Sequence, residues 1–324
     1  MTESVRAPAA IGRGVRTADP SAVRALVREH GYCVVEGHDC SAEQSAARLA
    51  AEIWGSDLLA APAACEVRDG AVGDDGLAQE DAGARVIGVH SDGFAYGDSL
   101  PDYFLLACVA HSNSGGENFL VDGTKVLADI EADPATRWAA EALRTRPIDQ
   151  TEAGKRPSIS PIVQQTSAGR LMFRHLPFLQ QPCADSDDFD RDQEMIDIFH
   201  RATAAQAAGP DAAWLKLEAG DAVVIDNYRM FHGRAPYTSG DRMLWRQWVW
   251  STDSAHGVPG GPLYSDSRFA DEAFLQLGQE ELDELAALPL SELRLINTEN
   301  REGATLGRRN GEAARLAAAS NSKL

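Results

Sequence analysis

Three potential metal ligands lie in two distant parts of this chain, and these parts must converge if it folds around a metal ion. His90 and Asp92 are separated by one residue, and His232 follows far downstream. Two imidazoles and one carboxylate are the ligand set typical of non-heme Fe(II) sites that keep coordination positions open. We therefore expect a fold in which two distant strands meet at residues 90 and 232.

The spacing of His90 and Asp92 is compatible with two ligands of one metal ion. Alternate residues of a strand share a face, so a His-x-Asp segment in extended conformation would direct His90 and Asp92 to the same side. A His-x-Asp pair alone is a weak signal, because a surface turn can produce one by chance. His175 is interpreted as a core histidine, with a position lining a site as the alternative, and the remaining histidines are interpreted as ordinary hydrogen-bonded side chains.

Composition and charge limit the classes of protein to be considered. The 324 residues are 44% hydrophobic and 24% charged, which predicts one folded domain over residues 1–324. The formal net charge of -19 argues against nucleic acid as a partner, since a phosphate backbone requires a basic face. An anionic small molecule would have to be captured by local arginines.

Cysteine usage and hydropathy bear on the location of the protein. The five cysteines are scattered without a Cys-x-x-Cys pair, as is typical of reduced thiols in a cytosol. Residues 1–20 contain no apolar stretch of signal-peptide length, and no run is long enough to span a bilayer. We expect a cytoplasmic protein with a small-molecule substrate and no membrane partner, with homo-oligomerisation left open.

Short strands interrupted by helices predict the fold class. A helix should begin at Asp19 and end at Gly31, followed by a strand at Tyr32–Val35 and a second helix capped by Ser41. This segment, about 18–56, would form a helical N-terminal buttress. The many later strands predict a mostly β protein with flanking helices around a double-stranded β-helix, or jelly roll.

Further segments complete the expected organisation. Residues about 60–83 are rich in Gly, Ala and Asp, and are interpreted as a long loop that could serve as a lid. Residues 270–288 have helical spacing, and about 300–324 could form a flexible tail. The other expected core strands are Val86–His90, Tyr103–Ala110, Asn118–Val121, Ile162–Gln164, Leu171–Arg174, Leu215–Leu217, Ala222–Ile225 and Met243–Trp250.

Four sequence blocks together resemble one enzyme family. The blocks are His90–Asp92, Gly115–Gly123, Asp226–Arg234 and Arg242–Arg246. In order and spacing they are similar to the taurine dioxygenase family of Fe(II)/2-oxoglutarate oxygenases, and in motif they are closest to its γ-butyrobetaine hydroxylase branch. The resemblance implies a jelly-roll core.

The resemblance also implies roles for single residues. His90, Asp92 and His232 would hold Fe(II), and Arg242 would bind the distal carboxylate of 2-oxoglutarate, for which a planar guanidinium is well suited. Asn118 would make a second contact to this co-substrate, at a position where many relatives carry a hydroxyl residue. Arg246 matches the position at which the taurine enzyme holds its substrate's anionic group.

The chemistry implied is oxidation of a small anionic or zwitterionic metabolite that carries a carboxylate, sulfonate or phosphonate. 2-Oxoglutarate and O2 would be consumed, succinate and CO2 released, and an unactivated C–H bond hydroxylated. Desaturation, cyclisation or a quaternary-ammonium substrate remain alternatives on the same iron site. A zinc hydrolase or a metal-bearing sensor without turnover is a further alternative from another class.

Overall fold

The computed structural model describes residues 11–12, 14–68, 87–151, 158–238, 242–260 and 263–265. Its strands are β1 (Arg16–Thr17), β2 (Tyr32–Val35), β3 (Leu58–Ala60), β4 (Cys65–Arg68), β5 (Ile87–His90), β6 (Tyr103–Ala110), β7 (Ser114–Gly115), β8 (Asn118–Asp122), β9 (Ile148–Asp149), β10 (Ile159–Ser160), β11 (Val163–Gln165), β12 (Leu171–Phe173), β13 (Gln181–Pro182), β14 (Ala213–Leu215), β15 (Ala222–Asp226), β16 (Met230–Arg234), β17 (Tyr237–Thr238) and β18 (Met243–Ser251). The helices are α1 (Pro20–His30), α2 (Gln44–Trp54), α3 (Gly123–Ala132), α4 (Arg137–Thr145) and α5 (Phe189–Ala208).

Two sheets form the centre of the fold. The larger has the strand order β1-β2-β15-β6-β18-β3, with β4 paired to β18 as well, and the smaller has the order β14-β8-β16-β5. Their inner faces share a buried cluster that includes Phe104 and Leu244 of the large sheet and Leu120 and Met230 of the small one. This arrangement is the expected double-stranded β-helix core with flanking helices.

Helices cover both outer faces. Val23 of α1 and Leu49 of α2 pack against Leu105 and Trp245 on the large sheet. On the small sheet, α3, α4 and α5 bury their apolar faces in a cluster that includes Phe119 and Phe231. Because strand residues alternate between faces, the neighbours of these outward residues point into the space between the sheets.

The first helix follows its sequence signals. Asp19 caps α1 by accepting a hydrogen bond from the Ser21 N–H at 2.9 Å, and Pro20 occupies the first turn. Gly31 ends the helix in the left-handed region, at a φ of 83°. The expectation for the second helix was wrong at its start, since α2 begins at Gln44. Ser41 instead donates its hydroxyl to Asp39 at 2.6 Å, in a turn ahead of the helix.

The expected loop over about 60–83 is also partly wrong. Cys65–Arg68 form β4, which pairs antiparallel with β18 in the register Arg246 to Cys65. The local sequence lacks strand periodicity, so this strand owes its conformation to the edge that β18 offers. Residues 69–86 lie outside the described part of the chain, as do the helix predicted over 270–288 and the tail predicted over about 300–324. Among the described residues, no helix is long and apolar enough to cross a membrane.

Candidate active site

The two histidines of the predicted triad meet between the sheets. His90 ends β5 and is paired directly with His232 of β16. Their ring centroids lie 4.3 Å apart. His232 points inward because its neighbour Phe231 is buried under the helices on the opposite face. Phe104 of the large sheet stacks on the His232 ring at 4.4 Å, which fixes the ring from the other side.

Asp92 lies beside the two histidines, but contrary to expectation it is not part of the strand. The strand ends at His90, so Asp92 lies in a bend and its direction does not follow from strand alternation. Asn227 holds its backbone on both sides, accepting from the Asp92 N–H and donating to the Asp92 carbonyl, each at 3.0 Å. The main chain of His175 bonds Ser91 in the same way, by accepting from the Ser91 N–H at 2.8 Å and donating to the Ser91 hydroxyl at 3.0 Å.

The three donor atoms form a group that could hold a metal ion. His90 Nε2 lies 3.4 Å and His232 Nε2 lies 3.8 Å from Asp92 Oδ1. All three ligand atoms lie within 4.8 Å of one another, and the described residues contain no second group of this kind. Two imidazoles with one carboxylate suit a non-heme Fe(II) centre.

The hydrogen bonds and protonation states of the triad fit a cation. His90 donates its Nδ1–H to the Gly88 carbonyl at 2.9 Å, which leaves the Nε2 lone pair directed at the site. Burial, together with the neighbouring His90 ring, lowers the pKa of His232 to about 3, so this imidazole is neutral at physiological pH. A neutral imidazole is the form that binds a metal.

The carboxylate is likewise in its binding form. Burial alone would raise the pKa of Asp92, but the charge of Arg246 and the hydrogen bond from His90 hold it well below its usual range. Burial lowers the pKa of His90, whereas its contact with Asp92 raises it, and the net direction is upward. Because a metal and a proton compete for the same Nε2, a bound cation would displace the proton that this contact favours.

Two side chains of β18 surround the other oxygen of Asp92. Trp248 donates its indole N–H to Asp92 Oδ2 at 2.8 Å, and Arg246 Nη1 lies 3.7 Å from the same oxygen. The sequence interpretation placed Arg246 facing the cavity but did not find the contact made by Trp248. Their spacing of two on one strand is the signal that could have found it, since it puts both side chains on one face.

Arg246 is anchored by the chain that follows β18. Its Nε–H donates to the Ser265 carbonyl at 2.8 Å, and its guanidinium lies over the Trp248 ring at 5.6 Å. The side chain is 19% exposed, so a partly exposed cation lies beside the candidate metal ligand Asp92.

A second group of predicted residues lines one pocket. Arg242 and Asn118 are both buried and share this pocket with Ser112, Gly116 and Lys216. Gly116 has a φ of 76°, and a Cβ there would lie 2.5 Å from Ser112 Oγ and 3.4 Å from Arg242 Nε. A glycine is therefore needed here, because of the positive φ and the close approach of the Ser112 hydroxyl. Lys216 is a pocket cation that the sequence interpretation missed.

Two ion pairs brace the strands of the core. Arg229 donates to Asp122 Oδ2 at 2.6 Å, and Asp226 accepts from Arg170 at 2.8 Å. These pairs join the end of β15 and the residue before β16 to neighbouring segments. His175 is buried against aromatic rings, 4.9 Å from Phe231 by ring centroids, as expected for a core histidine.

Comparisons with known proteins agree with this arrangement. The sequence profile described as "Taurine catabolism dioxygenase TauD, TfdA family" matches residues 13–248. A comparison with curated protein sequences found no significant match.

Solved structures with low sequence identity share the fold. PvcB of Pseudomonas aeruginosa, described as an Fe, α-ketoglutarate dependent oxygenase from an isonitrile synthetic pathway, is 18% identical with a TM-score of 0.52, over 73% of this chain and 82% of its own. A putative α-ketoglutarate-dependent taurine dioxygenase from Burkholderia xenovorans is 12% identical with a TM-score of 0.54, over 80% and 96%. An asparagine oxygenase is 15% identical with a TM-score of 0.50, over 71% and 78%.

Proposed function

Because the chain belongs to the taurine catabolism dioxygenase TauD, TfdA family, we propose that it is an Fe(II)- and 2-oxoglutarate-dependent oxygenase of a small anionic or zwitterionic metabolite. The observation that carries the proposal is the convergence of His90, Asp92 and His232 on one point between the sheets. With 2-oxoglutarate and O2, a bound Fe(II) supplies an oxidant for a C–H bond, and succinate and CO2 are released.

The chain's own residues would prepare this site in three ways. The Gly88 carbonyl fixes the tautomer of His90, and burial keeps His232 neutral, so both rings offer Nε2 as a donor. Asp92 supplies the negative charge. With only three protein ligands, a bound Fe(II) would have positions left for a bidentate co-substrate and O2.

Arg242 and Asn118 would bind 2-oxoglutarate through its distal carboxylate. Both line the pocket described above, and Arg242 lies next to the turn at Gly116. A guanidinium gives two parallel hydrogen bonds to a carboxylate, and a buried one interacts strongly because water does not screen it. Lys216 adds a second positive charge to the lining of this pocket.

Arg246 would select a substrate that carries a carboxylate, sulfonate or phosphonate. It is a cation beside Asp92, four positions after Arg242 in the sequence. The whole chain carries a net charge of -19 and repels anions at long range, so recognition must come from such a local charge.

Within the family, the four sequence blocks are closest in motif to the γ-butyrobetaine hydroxylase branch, whereas Arg246 favours an anionic substrate. A quaternary-ammonium substrate would require exposed aromatic rings. Trp245, Trp248 and Trp250 are all buried, which supports the anionic substrate. The five cysteines are free and buried, which supports the reducing cytoplasm as the location.

Succinate formation from 2-oxoglutarate tests the proposed function. Purified protein with Fe(II), ascorbate, 2-oxoglutarate and O2 should form succinate, and small carboxylates, sulfonates, phosphonates and betaines are screened for stimulation. A zinc hydrolase or a sensor would form none. If no Fe(II)-dependent succinate forms with any of these substrates, the proposed oxygenase activity is rejected.

Replacement of Arg246 by Ala separates its two conceivable roles. If Arg246 binds the substrate's anionic group, the variant should keep the slow succinate formation seen without substrate but require much more substrate for stimulation. If it acts only on Asp92, Fe(II) affinity and substrate-free turnover should fall together. The second result would reject the anionic anchor.

A further inference from the structure

The two oxygens of Asp92 have separate surroundings. Oδ1 faces both imidazoles, at 3.4 Å from His90 Nε2 and 3.8 Å from His232 Nε2. Oδ2 faces β18, where it accepts the Trp248 indole N–H at 2.8 Å. One oxygen is therefore directed at the metal position and the other is held by the large sheet.

Trp248 is firmly held. Its side chain is fully buried, and its ring meets Tyr96 edge to face with centroids 6.0 Å apart. Its backbone N–H donates to the Ser265 hydroxyl at 3.0 Å. An indole in such packing has one N–H and no acceptor, so it can only donate, and a charged acceptor makes that hydrogen bond strong.

We infer that Trp248 is a positioning residue, whose indole N–H holds Asp92 Oδ2 and presents Oδ1 alone to the metal. The inference rests on the proposed function, since it assumes that Asp92 is a ligand. Carboxylates can bind a metal through one oxygen or two. A second bond from Asp92 would occupy a position that the co-substrate or O2 requires, and Trp248 opposes it.

The chain offers a matched control for this role. Trp250 is also fully buried, belongs to the same core cluster and meets Tyr96 edge to face at 5.5 Å. Its indole N–H donates to the Ser99 carbonyl at 2.9 Å, a neutral backbone acceptor. Replacement of either indole by the smaller Phe ring removes one hydrogen bond from the same core, but only Trp248→Phe removes a hydrogen bond from Asp92.

The test is anaerobic Fe(II) titration of the wild type, Trp248→Phe and Trp250→Phe, with the thermal unfolding temperature of each. Loss of a partner that orients a metal ligand typically weakens metal binding about 10- to 100-fold. We expect a loss in this range for Trp248→Phe and almost none for Trp250→Phe. The visible charge-transfer absorption of the Fe(II)–2-oxoglutarate complex should also shift only in Trp248→Phe.

Replacement of Trp248 by benzothienylalanine keeps the ring shape and removes only the N–H, so it serves if the Phe variant fails to fold. It should weaken Fe(II) binding as well. If both Trp248 variants bind Fe(II) as tightly as the wild type, the positioning role is overturned. The same holds if Trp250→Phe loses as much Fe(II) affinity as Trp248→Phe. Neither result would contradict the metal site itself. Failure of the wild type to bind Fe(II) would overturn the metal site and this inference together.

Discussion

His90 and His232 lie directly opposite each other on antiparallel strands, and their ring centroids are 4.3 Å apart. The pairing of β5 with β16 thus brings two of the three candidate ligands together through backbone hydrogen bonds alone. The register shifts between His232 and Arg234, immediately after this pair. Such irregularities redirect side chains and are frequent beside active sites.

The role of Arg242 is tested by Arg242→Gln. The variant should weaken 2-oxoglutarate binding by about 2 to 5 kcal/mol, as expected when one partner of a buried charge pair is truncated. The measurement is 2-oxoglutarate affinity of the Fe(II)-loaded protein under argon. Fe(II) affinity serves as the control and should be unchanged. Unaltered 2-oxoglutarate affinity would refute the assigned role.

The close approach of Gly116 to Arg242 gives a second prediction. Gly116→Ala places a methyl group 2.5 Å from Ser112 Oγ, so the Ser112 hydroxyl must shift, and it also brings the methyl into contact with Arg242 Nε at 3.4 Å. We expect this change in the pocket lining to weaken 2-oxoglutarate binding. Gly169→Ala is the matched control, because Gly169 has a φ of 82° with nothing within 4 Å of the new methyl. Both variants should lose about 1 to 3 kcal/mol of unfolding free energy through backbone strain. Equal co-substrate affinities in the two variants would argue against the contact.

Asp102 predicts a pH dependence of stability. Burial raises the pKa of Asp102 to about 7, although its carboxyl accepts hydrogen bonds from the Ser251 N–H and O–H. In the unfolded chain this pKa is about 3.9. At a pH between these two pKa values, Asp102 is protonated in the folded protein and ionised in the unfolded chain. The contribution of Asp102 to the free energy of unfolding therefore falls as the pH rises from about 3.9 to about 7. The slope is at most about 1.4 kcal/mol per pH unit.

Asp102→Asn isolates this effect. The amide keeps the shape and can still bond Ser251, but it does not titrate. Urea unfolding of both proteins from about pH 4 to 8 should show a steeper loss of stability in the wild type, mostly below about pH 7. Parallel curves would show that Asp102 does not bind a proton in the folded state within this range.

Local signals were sufficient for much of the fold. Asp19, Pro20 and Gly31 set both ends of α1, and the strands Tyr32–Val35 and Tyr103–Ala110 match their predicted bounds. These segments combine strong caps or continuous apolar runs, so neighbouring residues determine their conformation.

Long-range contacts account for what the sequence did not reveal. β4 forms because β18 offers it an edge, and nothing in the composition of residues 60–83 indicates a strand. Trp248 and Asp92 lie 156 positions apart, and only the pairing of the strands brings the indole to the carboxylate. The candidate triad can be recognised in the sequence because two histidines and one carboxylate are a familiar set of metal ligands. A tryptophan that donates a hydrogen bond to a distant carboxylate has no such sequence pattern.

The most direct test of the account is a crystal structure of the protein grown anaerobically with Fe(II) and 2-oxoglutarate, with anomalous data at the iron edge. We predict one iron peak bonded to His90 Nε2, Asp92 Oδ1 and His232 Nε2, with the distal carboxylate of 2-oxoglutarate on Arg242. A map without an iron peak between the two imidazoles would contradict the central claim.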